Sequence, residues 1–185
     1  ARQLSRVAAK DSRIMIMGYI DDDAVDWVLD NKIEFFVSDI SRIEKVLKKC
    51  RKKALKATIH IELETGMNRT GLKFKELENL TISIKKNREY FDIKGLCTHF
   101  AGAESIANYV RIQKQIKRFK EMDKYLSEQG INPKMRHTAC SAATVAYPQT
   151  RMDMVRIGIL QYGFWPSRET FIQYIHNKTI KRDPL

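Results

Sequence analysis

The stretch Thr58-Ile59-His60-Ile61-Glu62-Leu63-Glu64-Thr65-Gly66-Met67-Asn68-Arg69-Thr70-Gly71-Leu72 decides the fold. Its first seven residues alternate polar and apolar, the period of a β-strand. Ile59, Ile61 and Leu63 fall on one side, and His60, Glu62 and Glu64 on the other. A glycine then breaks the run, an arginine follows, and a second glycine breaks it again. Two carboxylates ending a strand beside a glycine-flanked arginine are costly unless the charges are paired or a ligand is bound. On spacing alone two readings stand side by side: a solvated edge strand with an ordinary turn, and a ligand site.

Working outward, the same strand–helix rhythm recurs. Arg13 to Tyr19 is a short apolar run ending at glycine, read as a buried strand. Asp21-Asp22-Asp23 caps a helix through Trp27 to Leu29, and Ile33 to Val37 is the next strand. A helix follows Ser38-Asp39 to about Lys53, with Ile40, Ile43, Val46 and Leu47 on one face. Beyond the 58–64 strand, Lys75 to Lys86 fits a helix and Ile93 to Phe100 a strand. Tyr109, Ile112, Ile116, Phe119 and Leu126 form one stripe of a long helix from about Ser105 to Gln129, stopped by Gly130. Met135 to Ala139 is a short strand, Ser141 to Tyr147 a short helix ended by Pro148, and Met154 to Ile159 the last strand. The first dozen residues read as the end of a helix, and after Pro166 the pattern fades.

Six strands alternating with helices imply parallel βαβ units in one domain. A doubly wound sheet is the alternative topology, but the glycine-rich dinucleotide fingerprint is absent. The 185 residues and 43% hydrophobic content are enough for one packed core. No apolar run is long enough to span a membrane, and the first residues lack a signal-peptide pattern. Cys50, Cys97 and Cys140 are far apart in sequence, with no Cys-x-x-Cys pair, which favours reduced thiols in a cytoplasm over a disulfide scaffold or zinc site. The net charge of +12 raises nucleic acid as a partner. The basic residues of 48–53 and 114–124 instead sit between apolar residues at helical spacing, the pattern of a solvated helix face. A basic interaction module remains the remotest reading.

Four segments together resemble the alanine racemases, pyridoxal-phosphate (PLP) enzymes built on a (β/α)8 barrel. They are Glu64-Thr65-Gly66-Met67-Asn68-Arg69-Thr70-Gly71-Leu72; Gly95-Leu96-Cys97-Thr98-His99-Phe100-Ala101; His137-Thr138-Ala139-Cys140-Ser141-Ala142-Ala143; and Asp153 to Ile159 continuing to Tyr162-Gly163. The resemblance runs from about Arg13 to Ser167. It implies a parallel α/β barrel, incomplete here, with about six of eight βα units and matching strands three to eight. Residues 1–167 would be a partial PLP-binding barrel domain, and 168–185 would lead toward a C-terminal β domain. The chain is then expected to be an internal piece of a longer protein.

The resemblance also implies roles. Arg156 matches the arginine that hydrogen-bonds the pyridine nitrogen of PLP. It cannot readily give up a proton, so that nitrogen stays unprotonated. A structural lumen arginine is the alternative reading of the residue alone. His99 matches a histidine near the cofactor ring, and His137 a position beside the site. Ser141, at a helix start, and Gly158 with Ile159 match the phosphate cradle; an ordinary serine N-cap fits Ser141 equally. Met17 matches a pocket-lining position and also fits a core residue. Arg69 matches an arginine on the substrate side. Its usual partner, a carbamylated lysine, is replaced by Glu62, which is expected to touch the Arg69 guanidinium directly. Cys140 stands where the family usually has asparagine.

The family's Schiff-base lysine and its second base, a tyrosine from the partner subunit's C-terminal domain, have no match in this chain. Racemisation needs a base on each face of the α-carbon, so the chain alone is expected to be inactive. The implied activity of the parent is interconversion of L- and D-alanine for peptidoglycan precursors, in a cytoplasmic homodimer with neither nucleic acid nor membrane as partner. A serine or broad-specificity racemase, and a non-catalytic PLP-binding barrel, are the alternatives.

Overall fold

The structure, a computed structural model, describes residues 1–180, with side chains through residue 176. Five strands form one parallel sheet in sequence order: β1 (Met15–Ile16), β2 (Glu34–Val37), β3 (Ala57–Glu62), β4 (Phe91–Cys97) and β5 (Met135–His137). Between them lie α2 (Val25–Asp30), α3 (Ile40–Lys53), α4 (Leu77–Lys86) and α5 (Tyr109–Glu128). A short helix, α1 (Arg2–Val7), precedes the sheet, and α6 (Ser141–Ala146) and α7 (Arg168–Ile180) follow it.

The alternation read on β3 holds and sets the two faces. Ile59 and Ile61 are fully buried in the core beneath the helices. They pack there with Phe35 and Val37 of β2, Leu96 of β4, and Ile43, Val46, Leu80, Phe119 and Met122 from α3, α4 and α5. Burial of such side chains stabilises by about 1.5–3 kcal/mol each before entropy is counted. His60 and Glu62 go to the opposite, inner face, together with Glu34, Phe36, Gly95, Cys97 and His137. A second cluster of Phe100, Ala103, Ile112, Ile116, Ala139, Ala142, Ala143 and Tyr147 joins α5 and α6 below the last loops. Pairing shifts between β3 and β4: Ile59 faces Ile93, but His60 faces Gly95, leaving Lys94 as the extra residue of a bulge. That shift sets a residue without a side chain opposite His60.

Helix α3 begins where Asp39 accepts a hydrogen bond from Arg42 N–H at 2.8 Å, an N-cap. It ends at Ala54 in the left-handed region, φ 51°. Its basic face is not simply solvated. Lys45, Lys49 and Lys53 reach Asp22, Asp26 and Asp30 at 2.7, 2.6 and 2.6 Å. Both rows advance by four residues, so one turn of α3 meets one turn of the parallel segment 22–30. Arg42 adds a bond to Asp22 at 2.9 Å and lies over the Tyr19 ring.

Three expectations change. The 154–159 segment is not a sixth strand. Asp153 takes the β5 edge at Arg136, its N–H donating to Arg136 O at 3.0 Å and its carboxylate accepting from Arg136 N–H at 2.7 Å. Met152 before it has φ 47° and Gly158 after it leaves extended geometry, so only one isolated bridge survives, Cys140 with Arg156. The expected Arg13–Tyr19 strand shrinks likewise to two paired residues. The patternless tail, in turn, contains α7. Glu169 accepts from the Ser105 hydroxyl and from Ile106 N–H, and Trp165 stacks near Phe171 and Tyr174 at 5.3 and 5.1 Å. Residues 181–185 of the expected C-terminal segment lie outside the described residues.

The loop after β3 folds back on itself: Leu72 N–H donates to Glu62 O, and Glu64 N–H to Leu72 O, at 2.8 and 2.9 Å. Gly71 permits this with φ 114°, and a methyl group there would lie 2.7 Å from Glu64 N and Leu63 C. Gly71→Ala is therefore expected to lower stability in urea unfolding by at least about 1–3 kcal/mol. Gly130→Ala, positive in φ but with nothing near the added methyl, is expected to cost less, about 1 kcal/mol.

Candidate active site

An open cavity of about 700 Å³ lies at the C-terminal ends of the strands. Of the candidate residues, Met17, Glu62, Arg69, His99, Cys140, Ser141, Arg156, Gly158 and Ile159 border it, and His137 does not. Met15 and Phe36 complete its inner wall. The topology brings them together because each follows a strand, and parallel strands end on one side.

Arg156 is the most densely bonded of them. One terminal nitrogen, Nη1, donates to His137 Nδ1 at 2.8 Å and to the His137 carbonyl. The other, Nη2, donates to the carbonyls of Thr98 at 2.6 Å and Thr138 at 3.3 Å. A guanidinium has five N–H donors. Among the described residues the fifth, Nε–H, has no protein acceptor, and it is not a sealed orphan either. Arg156 thus ties the ends of β4 and β5, borders the cavity, and keeps one N–H without an acceptor among the described residues. Its backbone N–H donates to Ala139 O at 2.9 Å, which fixes the segment that carries it.

Ser141 opens α6, and its hydroxyl oxygen accepts from Gly158 N–H at 2.9 Å. Its own hydrogen has no acceptor among the described residues, so an O–H donor stands beside the Gly158–Ile159 backbone. Cys140 precedes it as the N-cap residue without a side-chain cap bond, which leaves its thiol on the cavity wall. His99 is half-buried; burial first, then the Arg156 and Arg69 charges, hold its pKa below the usual histidine value. His137 is fully buried, and burial with the Arg156 charge pushes its pKa down to about 3. The resemblance puts His99 near the ring and His137 only beside the site, whereas His137 is the residue that touches Arg156.

Glu62 and Arg69 do not make the direct contact expected of them. Both border the cavity, but no ion pair within 4.0 Å joins them. Glu64 explains the difference. Its carboxylate accepts from Gly66 N–H at 2.5 Å and Asn68 N–H at 2.8 Å, which locks the loop and leaves Arg69 exposed. Arg111 Nη2, donating to Gly66 O at 3.1 Å, holds the same loop from α5. Glu62 stays buried at 7% exposure. Burial raises its pKa, opposed by the Thr70 hydroxyl and by the Arg69 and Arg156 charges.

The folded protein therefore binds the Glu62 proton more tightly than the unfolded chain does. That contribution is complete below the ordinary value of 4.5 and is lost as pH rises through the raised value. Glu62→Gln removes the charged form. Its thermal midpoint is expected to exceed the parent's near about pH 8, and the two should converge toward about pH 4.

Parallel βα units with convergent hydrogen-bond donors at the strand ends define a ligand site of the barrel-enzyme class. Residues 1–166 match the family model described as "Alanine racemase, N-terminal domain", and the chain belongs to that family. It is 40% identical over 136 residues to an alanine racemase of Treponema denticola, covering 72% of this chain and 34% of the relative. It is 35% identical over 170 residues to an alanine racemase of Desulforamulus reducens, covering 91% and 45%. Among solved structures, alanine racemase from Streptomyces coelicolor A3(2) superposes with TM-score 0.85 at 29% identity, covering 91% of this chain and 45% of that one. The chain spans less than half the length of these relatives. Among the described residues no helix is long and apolar enough to cross a membrane.

Proposed function

We propose that the full-length protein is a PLP-dependent alanine racemase, interconverting L- and D-alanine for peptidoglycan precursors, and that this chain carries the cofactor-facing part of its barrel. In this reading residues 1–167 are barrel, 168–185 lead toward a C-terminal β domain, and the protein works as a cytoplasmic homodimer. The three free thiols suit a reducing compartment. The observation that carries the proposal is the Arg156 guanidinium at the cavity wall, with four N–H groups tied to protein and the fifth without an acceptor among the described residues.

The donor set fits PLP. Arg156 Nε–H would meet the pyridine nitrogen, a bare acceptor, and the Ser141 hydroxyl with the Gly158 and Ile159 backbone would hold the phosphate. When bound, PLP supplies an electron sink for negative charge at the substrate α-carbon. Arg156 donates a hydrogen bond but keeps its proton, so it holds the ring without protonating it. His99, kept neutral by burial and two arginine charges, offers the ring an uncharged wall. Met17 and Cys140 close the sides. Arg69 is a cation on the substrate side for the amino-acid carboxylate, and Glu62 beneath it is a second polar group facing that space. This chain holds neither the Schiff-base lysine nor the tyrosine base of the family, so both proton-transfer bases would come from the remainder of the full-length protein.

Conversion of L-alanine to D-alanine by the full-length protein, followed by optical rotation with and without added PLP, tests the assignment. Rotation is expected to decay to zero from either enantiomer only when PLP is present. Arg156→Glu is expected to lower racemisation by at least about tenfold, about 1.4 kcal/mol in the barrier, and to raise transamination. Equal racemase and transaminase rates in parent and variant would remove Arg156 from the role given to it here.

A further inference from the structure

Behind Arg156 the inner face carries a continuous chain of hydrogen bonds through buried side chains. His137 Nδ1 faces Arg156 Nη1 at 2.8 Å, His137 Nε2 faces His60 Nδ1 at 2.8 Å, and His60 Nε2 faces Glu34 Oε2 at 2.9 Å. The other Glu34 oxygen lies 3.7 Å from the Arg13 guanidinium. His60 and His137 are fully buried, and Glu34 is 9% exposed. The chain crosses from β5 to β2 over β4, where Gly95 leaves room. A methyl group on Gly95 would overlap His60 Nδ1 and lie 2.8 Å from His137 Nε2. Phe36 packs against both imidazoles, centroids 6.0 and 5.7 Å away, and the two rings meet edge to face.

The chemistry of the two ends gives this chain a single direction. Arginine only donates, so His137 Nδ1 must accept. A neutral imidazole then carries its proton on Nε2 and donates to His60 Nδ1. His60 in turn carries its proton on Nε2 and donates to Glu34, a carboxylate that only accepts. Reversing any one link would set two donors face to face or strip an imidazole of both protons. Burial lowers the pKa of both histidines, which agrees with two neutral rings.

We propose that Glu34, His60 and His137 are positioning residues for Arg156: the carboxylate at one end and the guanidinium at the other hold both imidazoles as Nε2–H tautomers, so that His137 presents a bare nitrogen to the guanidinium and fixes it at the cavity wall. The bearing on PLP rests on the function proposed above; the direction of the chain does not. Removing the acceptor at Glu34 strands the buried His60 Nε2–H, so the reversed chain, now opposed only by Arg156, gains population. His60 then donates from Nδ1, His137 takes its proton on Nδ1, and that N–H repels Arg156.

The test uses the full-length protein with 15N-labelled histidine, in two measurements. Side-chain 1H–15N spectra report which ring nitrogen carries the proton, with no cofactor present. Affinity for pyridoxine 5′-phosphate, which has the pyridine nitrogen and phosphate but no aldehyde, reports Arg156 without a lysine adduct. In the parent, His60 and His137 are expected as Nε2–H tautomers. Glu34→Gln, whose amide oxygen still accepts, is expected to keep both tautomers and to bind within about threefold of the parent. Glu34→Leu is expected to give His137 an Nδ1–H population and to weaken binding by roughly tenfold, about 1.4 kcal/mol. A parent His137 protonated on Nδ1 overturns the proposal, and this needs no variant to fold. So does a folded Glu34→Leu protein with parental tautomers and affinity. If the parent shows the expected tautomers but does not bind pyridoxine 5′-phosphate, the chain stands and the PLP reading fails.

Discussion

The site depends on one guanidinium that has no ion-pair partner within 4.0 Å among the described residues. Arg156 is held by carbonyl dipoles of Thr98, His137 and Thr138 and by one imidazole nitrogen. A carboxylate partner would have neutralised it. Dipoles hold it in place while leaving its positive charge to act on the cavity, on His99 and on Glu62. Because the acceptors come from the ends of two strands, the arginine is also a strut. β5 has only three residues in the ladder, and the segment after it reaches the sheet through a single bridge. Hydrogen bonds from Arg156 replace the ladder that this edge lacks.

Much of this was legible in the sequence because two-residue alternation and helical stripes encode which face is buried. Ile59, Ile61, Phe119 and Leu126 ended where their spacing put them. The expected sixth strand failed for a local reason. Met154 to Ile159 has strand composition, but Asp153 satisfies the Arg136 edge with its own backbone and side chain before a ladder can start. Helix α7 was hidden because its apolar residues do not form a stripe; its first turn is held by Ser167, Thr170 and Glu169.

In the site, motif matching gathered residues that do border one cavity, yet it did not give their bonding. The resemblance pairs Glu62 with Arg69, whereas it is the Glu64 carboxylate that binds, and it takes the loop backbone. Neither Glu34 nor the link from His60 to His137 was read. Glu34 was one polar residue inside an apolar strand, and His60 lies 77 residues from His137. A buried acid on β2 and a histidine on the same face of β3 were the available signals. The bulge that sets Gly95 between them leaves no signature in composition.

The lock that Glu64 places on its loop bears on the thermodynamics of ligand capture. With both carboxylate oxygens on backbone N–H groups, residues 65–72 are ordered before anything enters the cavity. An anion meeting Arg69 would have to freeze only one long side chain, not a loop. Ordering one such side chain costs about 0.5–1.5 kcal/mol, whereas each backbone residue left floppy would add about 1–2 kcal/mol more. The acid nearest the arginine in sequence would therefore serve the affinity of such an anion without approaching it, by having removed disorder during folding.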